Sequence, residues 1–328
     1  MSTSQNVVRQ GSRIYLHIGN DWFDYDESSA PIGAGAMGVV YLGQNSRNRQ
    51  RVAIKMVREE YANNPEIRNR AKTEASLMFM HRNLIEMLGY CELHSQRGPM
   101  WIVSKYVQGI TIDKFLRSQH YPIKVRSERI VKMFYPVLDA LTYLHGRGIL
   151  HLDIKPSNIM VEGGNNVRVL DLGIADTSTG LMPLKGNTQA SHGYMGTPNY
   201  AAPEQFVNNS KLNAATDIYE AGVSLYELLT GKNPYAAHTL RETMEKHRTV
   251  ILPPNDNVST PLLEVLRKAT CKQQVSRYQS VGEFRQDLQQ AFMLPPKPPI
   301  PTWAKIMMII GGIITLLIII YLLYIYLF

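Results

Sequence analysis

Near Gly109 the spacing of apolar residues changes, and this change constrains the fold more than any other feature of the sequence. Before it lie short runs rich in β-branched and aromatic residues, "GVVYLG", "RVAIKMV" and "MWIVSKYV", with turns between them, the pattern of strands. After it Ile130, Phe134, Val137, Leu141 and Leu144 recur every three or four residues, as do the apolar positions of "DIYEAGVSLYELLTG", the pattern of buried helix faces. The expectation is an α+β chain with a small strand-rich lobe over about 25–106 and a larger helical lobe over about 107–292. One helix interrupts the first lobe, "NNPEIRNRAKTEASLMFMH". Residues 1–24 read as a polar, weakly structured extension in which "SRIYLHIGNDWFDY" hints at a strand, with no function assigned to it.

The chain has 328 residues, enough for a large two-lobed domain with an appendage. Its formal charge is +8, but Lys and Arg are scattered without a dense basic block, so nucleic acid is not an expected partner. Cys91 and Cys271 are the only cysteines; their separation argues against a disulfide framework or a zinc site and for a reducing compartment.

Residues 306–328, "IMMIIGGIITLLIIIYLLYIYLF", carry no charge. As a helix they would run about 34 Å against a hydrocarbon core of about 30 Å. The proline-rich stretch 293–305 reads as a linker. Trp303 and Lys305 flank the near end, and Tyr321, Tyr324 and Tyr326 crowd the far one, an aromatic belt with positive charge inside. The expected arrangement is a single C-terminal span in a lipid bilayer, neither a signal peptide nor followed by an outer domain, with the preceding lobes in the cytosol.

Four clusters carry chemistry. "IGAGAMGVVYLG" places Gly33, Gly35 and Gly38 around Ala34, Ala36 and Met37, with Val40 following. Taken alone this is equally a glycine-rich hairpin of purely structural purpose. The Rossmann alternative needs a helix to open there, whereas a strand follows; a hairpin whose amides approach phosphates remains. "VAIK" sets Ala53 and Lys55 on a strand, and Lys55 can reach phosphates if Glu74, in "KTEASL", positions it. "HLDIKPSNIM" holds Asp153, Lys155 and Asn158, and "VLDLGIAD" holds Asp171. Asp153 and Asp171 can divide the work, one carboxylate orienting a hydroxyl and the other binding magnesium, with Asn158 offering a neutral oxygen to a second ion. The aliphatic stretch "NIMVEGGNNVRVL" joins them as a hairpin.

Together these motifs resemble those of eukaryotic-type (Hanks-type) Ser/Thr protein kinases over roughly residues 25–292, most closely the bacterial, membrane-anchored members. The resemblance extends to "GTPNYAAPEQ", with Ala202, Pro203 and Glu204 as the A-P-E triplet, to Asp217 and Gly222 in "DIYEAG", and to Arg277, expected to pair with Glu204. It implies a transferase that moves the γ-phosphoryl of ATP, with Mg2+ or Mn2+, to Ser or Thr hydroxyls of protein substrates. In that scheme Asp153, Lys155, Lys55 and Glu74 are catalytic. Gly33, Ala34, Gly35, Ala36, Met37, Gly38, Val40, Ala53, Lys55, Ser104 and Tyr106 line the nucleotide, and Asn158 and Asp171 hold the metal. Ser104 stands at the gatekeeper position, and Lys105 where an acidic residue is common, which implies an open adenine pocket. Confinement to a bacterial cell membrane implies autophosphorylation between neighbouring copies. Leu152 replaces the family's usual arginine before the catalytic aspartate, so activity is expected not to need a phosphorylated activation segment; the alternative is that Leu152 merely packs while another basic residue, Lys185 or Arg168, reads the phosphate. The alternatives are a membrane-anchored pseudokinase, which binds nucleotide or scaffolds partners without transfer, and a small-molecule phosphotransferase of related fold.

Overall fold

A computed structural model describes residues 6–35, 38–93, 97–119, 123–170, 198–207 and 210–293, together with Ile319. In chain order the small lobe runs β1 (Val7–Gln10), β2 (Arg13–Ile18), β3 (Asp21–Asp26), β4 (Gly33–Ala34), β5 (Gly38–Asn45), β6 (Arg51–Val57), α1 (Glu59–Ala62), α2 (Pro65–Ser76), β7 (Met87–Glu92) and β8 (Met100–Lys105). The sheet has the order β1-β2-β3-β5-β6-β8-β7, with β4 pairing to β5.

Period-two alternation gives the sheet two different faces. Val52 and Ile54 of β6 join Ile14, Leu16, Phe23, Tyr25, Trp101 and Val103 in one apolar cluster. Ala53 and Lys55 alternate with them and are half-buried. A second cluster joins Ala71 and Ala75 of α2 to Val57, Met87, Met100 and Ile102.

The first 24 residues depart from the expected weak structure. β1 and β2 form a hairpin in register Val7↔Leu16 to Gln10↔Arg13, and β2 pairs with β3 along its whole length. Ile14 and Leu16 are 1% and 0% exposed, so the hairpin supplies core rather than a loose arm. It also reaches β7: the Asn6 carbonyl accepts from the Cys91 thiol and from the His17 amide. A second departure concerns α2, which stops at Ser76 rather than running on to His81. Its last turn is closed when the Ser76 hydroxyl donates to the Lys72 carbonyl. Met78 and Met80 beyond it are exposed.

The large lobe comprises β9 (Gly109–Thr111), α3 (Ile112–Ser118), α4 (Ile123–His145), β10 (Ile159–Glu162), β11 (Asn166–Val169), α5 (Ala214–Thr230), α6 (Leu240–Thr249), α7 (Thr260–Ala269) and α8 (Val281–Met293). Ile130, Phe134, Val137, Leu141 and Leu144, the periodic positions of α4, are all 0% exposed. Nearly every residue of α5 is buried, which makes it the central helix of the lobe. Gly222 allows α7 to approach it, because a Cβ there would come within 2.9 Å of Thr270 and 3.1 Å of Ala269. The expected hairpin forms from β10 and β11, in register Ile159↔Val169, and β9 adds a third strand. The segment 306–328 lies outside the described residues apart from Ile319; among the described residues no helix is long and apolar enough to cross a membrane.

Candidate active site

The glycine-rich segment is a strand hairpin, as its β-branched tail requires. Gly33 pairs with Val40 and Ala34 with Val39, and the Gly35 amide donates to the Gly38 carbonyl at 2.9 Å. Gly38 faces Val57 on β6, and a Cβ at Gly38 would come within 2.4 Å of the Met56 carbonyl. Only glycine lets the hairpin lie this close to the sheet. Register places Val40 opposite Lys55, and Lys55 opposite Ile102. Ala36 and Met37, at the tip, lie outside the described residues.

Ala53 pairs with Ser104, and Ser104 also faces Met87. Ser104 is 9% exposed, so its small side chain faces packed protein rather than solvent. Behind this point a cavity is lined by Phe79, Leu84, Met87, His151 and Val169. Lys105 forms an ion pair with Glu86, which matches its charge locally. The half-buried Tyr106 follows, its amide donating to the Arg51 carbonyl. Glu74 sits on α2, whose Ala71 and Ala75 pack towards the sheet.

The loop between α4 and β10 carries the densest polar geometry. Lys155 Nζ lies 2.9 Å from Asp153 Oδ1 and 2.7 Å from Oδ2. Asn158 Nδ2 donates to the Asp153 carbonyl at 2.9 Å and to its Oδ2 at 2.8 Å. Asp153, Lys155 and Asn158, five residues apart at most, are therefore brought together around one carboxylate. Asp171 lies outside the described residues.

What holds this loop is α5. Asp217, 0% exposed, accepts from the His151 amide at 2.9 Å, from the Leu152 amide at 2.8 Å, and meets His145 Nε2 at 2.6 Å. One turn on, Glu220 accepts from the Ile154 amide at 2.8 Å, and Ser224 donates to the Ile154 carbonyl at 2.9 Å. The Asp153 amide itself donates to His151 Nδ1. Leu152 has φ of 61°, a left-handed conformation that costs a non-glycine residue about 1–3 kcal/mol. Amide bonds to a charged carboxylate contribute about 1.5–3 kcal/mol each, so the two to Asp217 outweigh the strain.

The two buried carboxyls differ in charge. Burial pushes Asp217 upward, but the hydrogen bond and charge of His145, with His151 beyond it, outweigh burial and hold it below the usual carboxylate range. Glu220 is pushed well above that range, by burial first and then by the negative charge of Asp217. Sequence reasoning found Asp217 but missed Glu220, Ser224 and His145. For Glu220 and Ser224 the available signal was polar residues at i, i+3 and i+7 from Asp217 in a helix most of whose residues are apolar.

The A-P-E triplet is anchored where the sequence suggested. Arg277 grips Glu204 with two parallel bonds, Nη1 to Oε1 at 2.6 Å and Nη2 to Oε2 at 2.8 Å. Burial raises the Glu204 pKa, yet this guanidinium more than offsets it and the net shift is downward.

The sequence profile for the protein kinase domain matches residues 27–293. The chain is 30% identical over 276 residues to the serine/threonine-protein kinase PknB of Mycobacterium tuberculosis, covering 82% of this chain and 43% of that protein. It is 31% identical over 264 residues to PknB of Mycolicibacterium smegmatis, covering 78% and 41%. To the serine/threonine-protein kinase Pkn1 of Myxococcus xanthus it is 31% identical over 270 residues, covering 79% and 37%. The chain thus spans less than half the length of these relatives. With a strand-rich small lobe, a helical large lobe, a carboxylate-centred loop held by α5 and a profile match over 27–293, the chain belongs to the protein kinase domain family.

Proposed function

We propose that this chain is a Ser/Thr protein kinase that transfers the γ-phosphoryl of Mg-ATP to protein hydroxyls while held at the cytosolic face of a membrane by residues 306–328. The observation that carries the reading is the Asp153 carboxylate, oriented by Lys155 and Asn158 on a loop clamped by α5. Names of relatives support the choice of Ser and Thr, as does Lys155 two residues after the base.

The residues present fit nucleotide and metal. Gly38 lets the hairpin pack directly on the Met56 backbone of β6, which sets it on the strand that carries Lys55; the hairpin backbone is assigned to cover the phosphates, and Glu74 is the carboxylate assigned to position Lys55. Asn158 commits its Nδ2 to Asp153, which leaves Oδ1 as an oxygen donor of the kind Mg2+ or Mn2+ prefers, with Asp171 as the other ligand. When bound, Mg-ATP supplies the transferable phosphoryl group and the cationic charge that offsets it. Asp153 accepts the hydrogen bond of the substrate hydroxyl and aligns its oxygen. Lys155, touching the same carboxylate, places positive charge where negative charge gathers. Gly33, Ala34, Gly35, Ala36, Met37, Val40, Ala53, Ser104 and Tyr106 form the remainder of the nucleotide site. Confinement to one bilayer face raises local concentration and favours autophosphorylation between neighbouring copies.

Asp153→Asn retains size and removes the charge. Turnover should fall by at least about a hundredfold, ~2.7 kcal/mol of transition-state stabilisation, while the Kd for ATP stays within a few-fold. Labelled-ATP transfer to a Ser/Thr peptide measures the first and nucleotide titration the second; turnover equal to that of the parent protein rejects Asp153 as the base.

A further inference from the structure

One buried acid has no part in this scheme. Glu220 is 1% exposed, and its Oε2 takes the Ile154 amide at 2.8 Å. Ile154 is the residue directly after Asp153, while Asp217 holds the two residues directly before it. Asp153 is thus bracketed, and Glu220 is the amide acceptor on its C-terminal side. The groups facing Glu220 are the carboxyls of Asp217 and Asp153 and the neutral amide of Gln205. Among the described residues no lysine, arginine or histidine forms an ion pair with it. A second buried negative charge one turn from Asp217, without a cation, would be expensive, whereas the protonated acid accepts the Ile154 amide through its carbonyl oxygen at little cost.

Gln205 extends the contact. Its side chain lies close enough to Glu220 to favour the charged carboxylate, and its Oε1 accepts from the Ala202 amide at 2.6 Å. Gln205 therefore stands between Glu220, which holds the Ile154 amide, and Ala202 of the A-P-E triplet.

We propose that Glu220 is a positioning residue for phosphoryl transfer: its carboxyl pins the loop that carries Asp153 at Ile154, and through Gln205 it ties that loop to the A-P-E turn. The inference rests on the assignment of Asp153 as the base. Misplacing a reacting group by about 1 Å can cost on the order of a hundredfold in rate. Loss of the clamp should therefore appear in kcat, while the KM for ATP, set by the glycine hairpin and Lys55, stays in place.

The test uses the full chain and a Ser/Thr peptide. Glu220→Leu, which leaves the Ile154 amide unpaired, should lower kcat by about ten- to a hundredfold with the KM for ATP within twofold of the parent. Glu220→Gln, which restores an uncharged acceptor, should bring kcat back to within about threefold across pH 6–8. Should Glu220→Leu fail to fold, as a thermal melt would show, Gln205→Leu at a half-buried position tests the same path; it should lower kcat by about three- to tenfold at unchanged ATP KM. Where both single variants fold, the double variant should be no worse than Glu220→Leu. Unimpaired kcat in Glu220→Leu or Gln205→Leu overturns the proposal, as does Glu220→Gln being as slow as Glu220→Leu, or a KM for ATP that rises in step with the loss. Asp153→Asn run alongside separates the two readings: if it is as active as the parent, the base assignment has failed, whatever the Glu220 variants do.

Discussion

Leu152 is where a single side chain and the backbone answer different questions. Its amide and left-handed φ serve the clamp to Asp217, a task that any residue with a backbone N–H can perform. Its side chain is 9% exposed and apolar, so it offers no cation to a phosphate on the activation segment. Arg168 is committed elsewhere, to Glu162 and to the Arg82 carbonyl. Basal activity is therefore expected not to depend on phosphorylation there. Replacing Thr177, Ser178, Thr179, Thr188 and Ser191 together by alanine should change peptide turnover by no more than a few-fold. A loss of about a hundredfold, ~2.7 kcal/mol, would show that some other basic residue reads a phosphate. That Asp153, Lys155 and Asn158 converge was legible from their spacing alone, because neighbours in one loop are close in any fold. The acceptor at Glu220 was not, since it comes from 66 residues away and only helix packing brings it there.

The first hairpin is the element whose role the structure changes most. β1 and β2 read as polar because half of each strand faces water, yet Ile14 and Leu16 fill a cluster with Phe23, Trp101 and Val103. Burying two such side chains stabilises by roughly 3–6 kcal/mol in total. Deleting residues 1–20, which leaves β3 and everything that the kinase profile covers, should lower the Tm by about 10 °C or more in a domain of this size. Differential scanning fluorimetry on both proteins measures the shift, and an unchanged Tm would mean that the hairpin is dispensable to the core. Strands β5, β6 and β8 were legible because each is a dense apolar run between turn residues. β7, "MLGYCE", was not: its glycine and polar positions hide an alternation whose buried half, Met87 and Cys91, meets α2 and β2. The end of α2 was overrun for the opposite reason. Apolar residues continue past Ser76, but Leu77 and Phe79 pack into the large-lobe core while Met78 and Met80 stay exposed, an alternation that suits extended chain and not another helical turn.

For the whole molecule, catalysis and confinement are proposed to reside in separate parts of the chain. Residues 306–328 carry no charged side chain, and on this reading removing them should move an active kinase from the membrane to the soluble fraction with kcat on a soluble peptide unchanged within about twofold. Fractionation with a high-salt wash followed by the peptide assay checks both parts; continued pelleting would place the membrane attachment elsewhere. The sequence by itself determined what is local in the chain: the change from strand to helix spacing, the glycine hairpin, the triad of Asp153, Lys155 and Asn158, and an uncharged stretch of membrane-spanning length. These follow from backbone periodicity and short-range reach, which are written into consecutive residues. Only the tertiary structure decided what depends on segments distant in sequence and was not expected from it: that the first hairpin belongs to the core, and that three side chains of α5 grip the loop around Asp153. Those contacts arise because a central helix buried on every side must satisfy its polar side chains inside the protein, and the loop amides are the partners that the packing brings within reach.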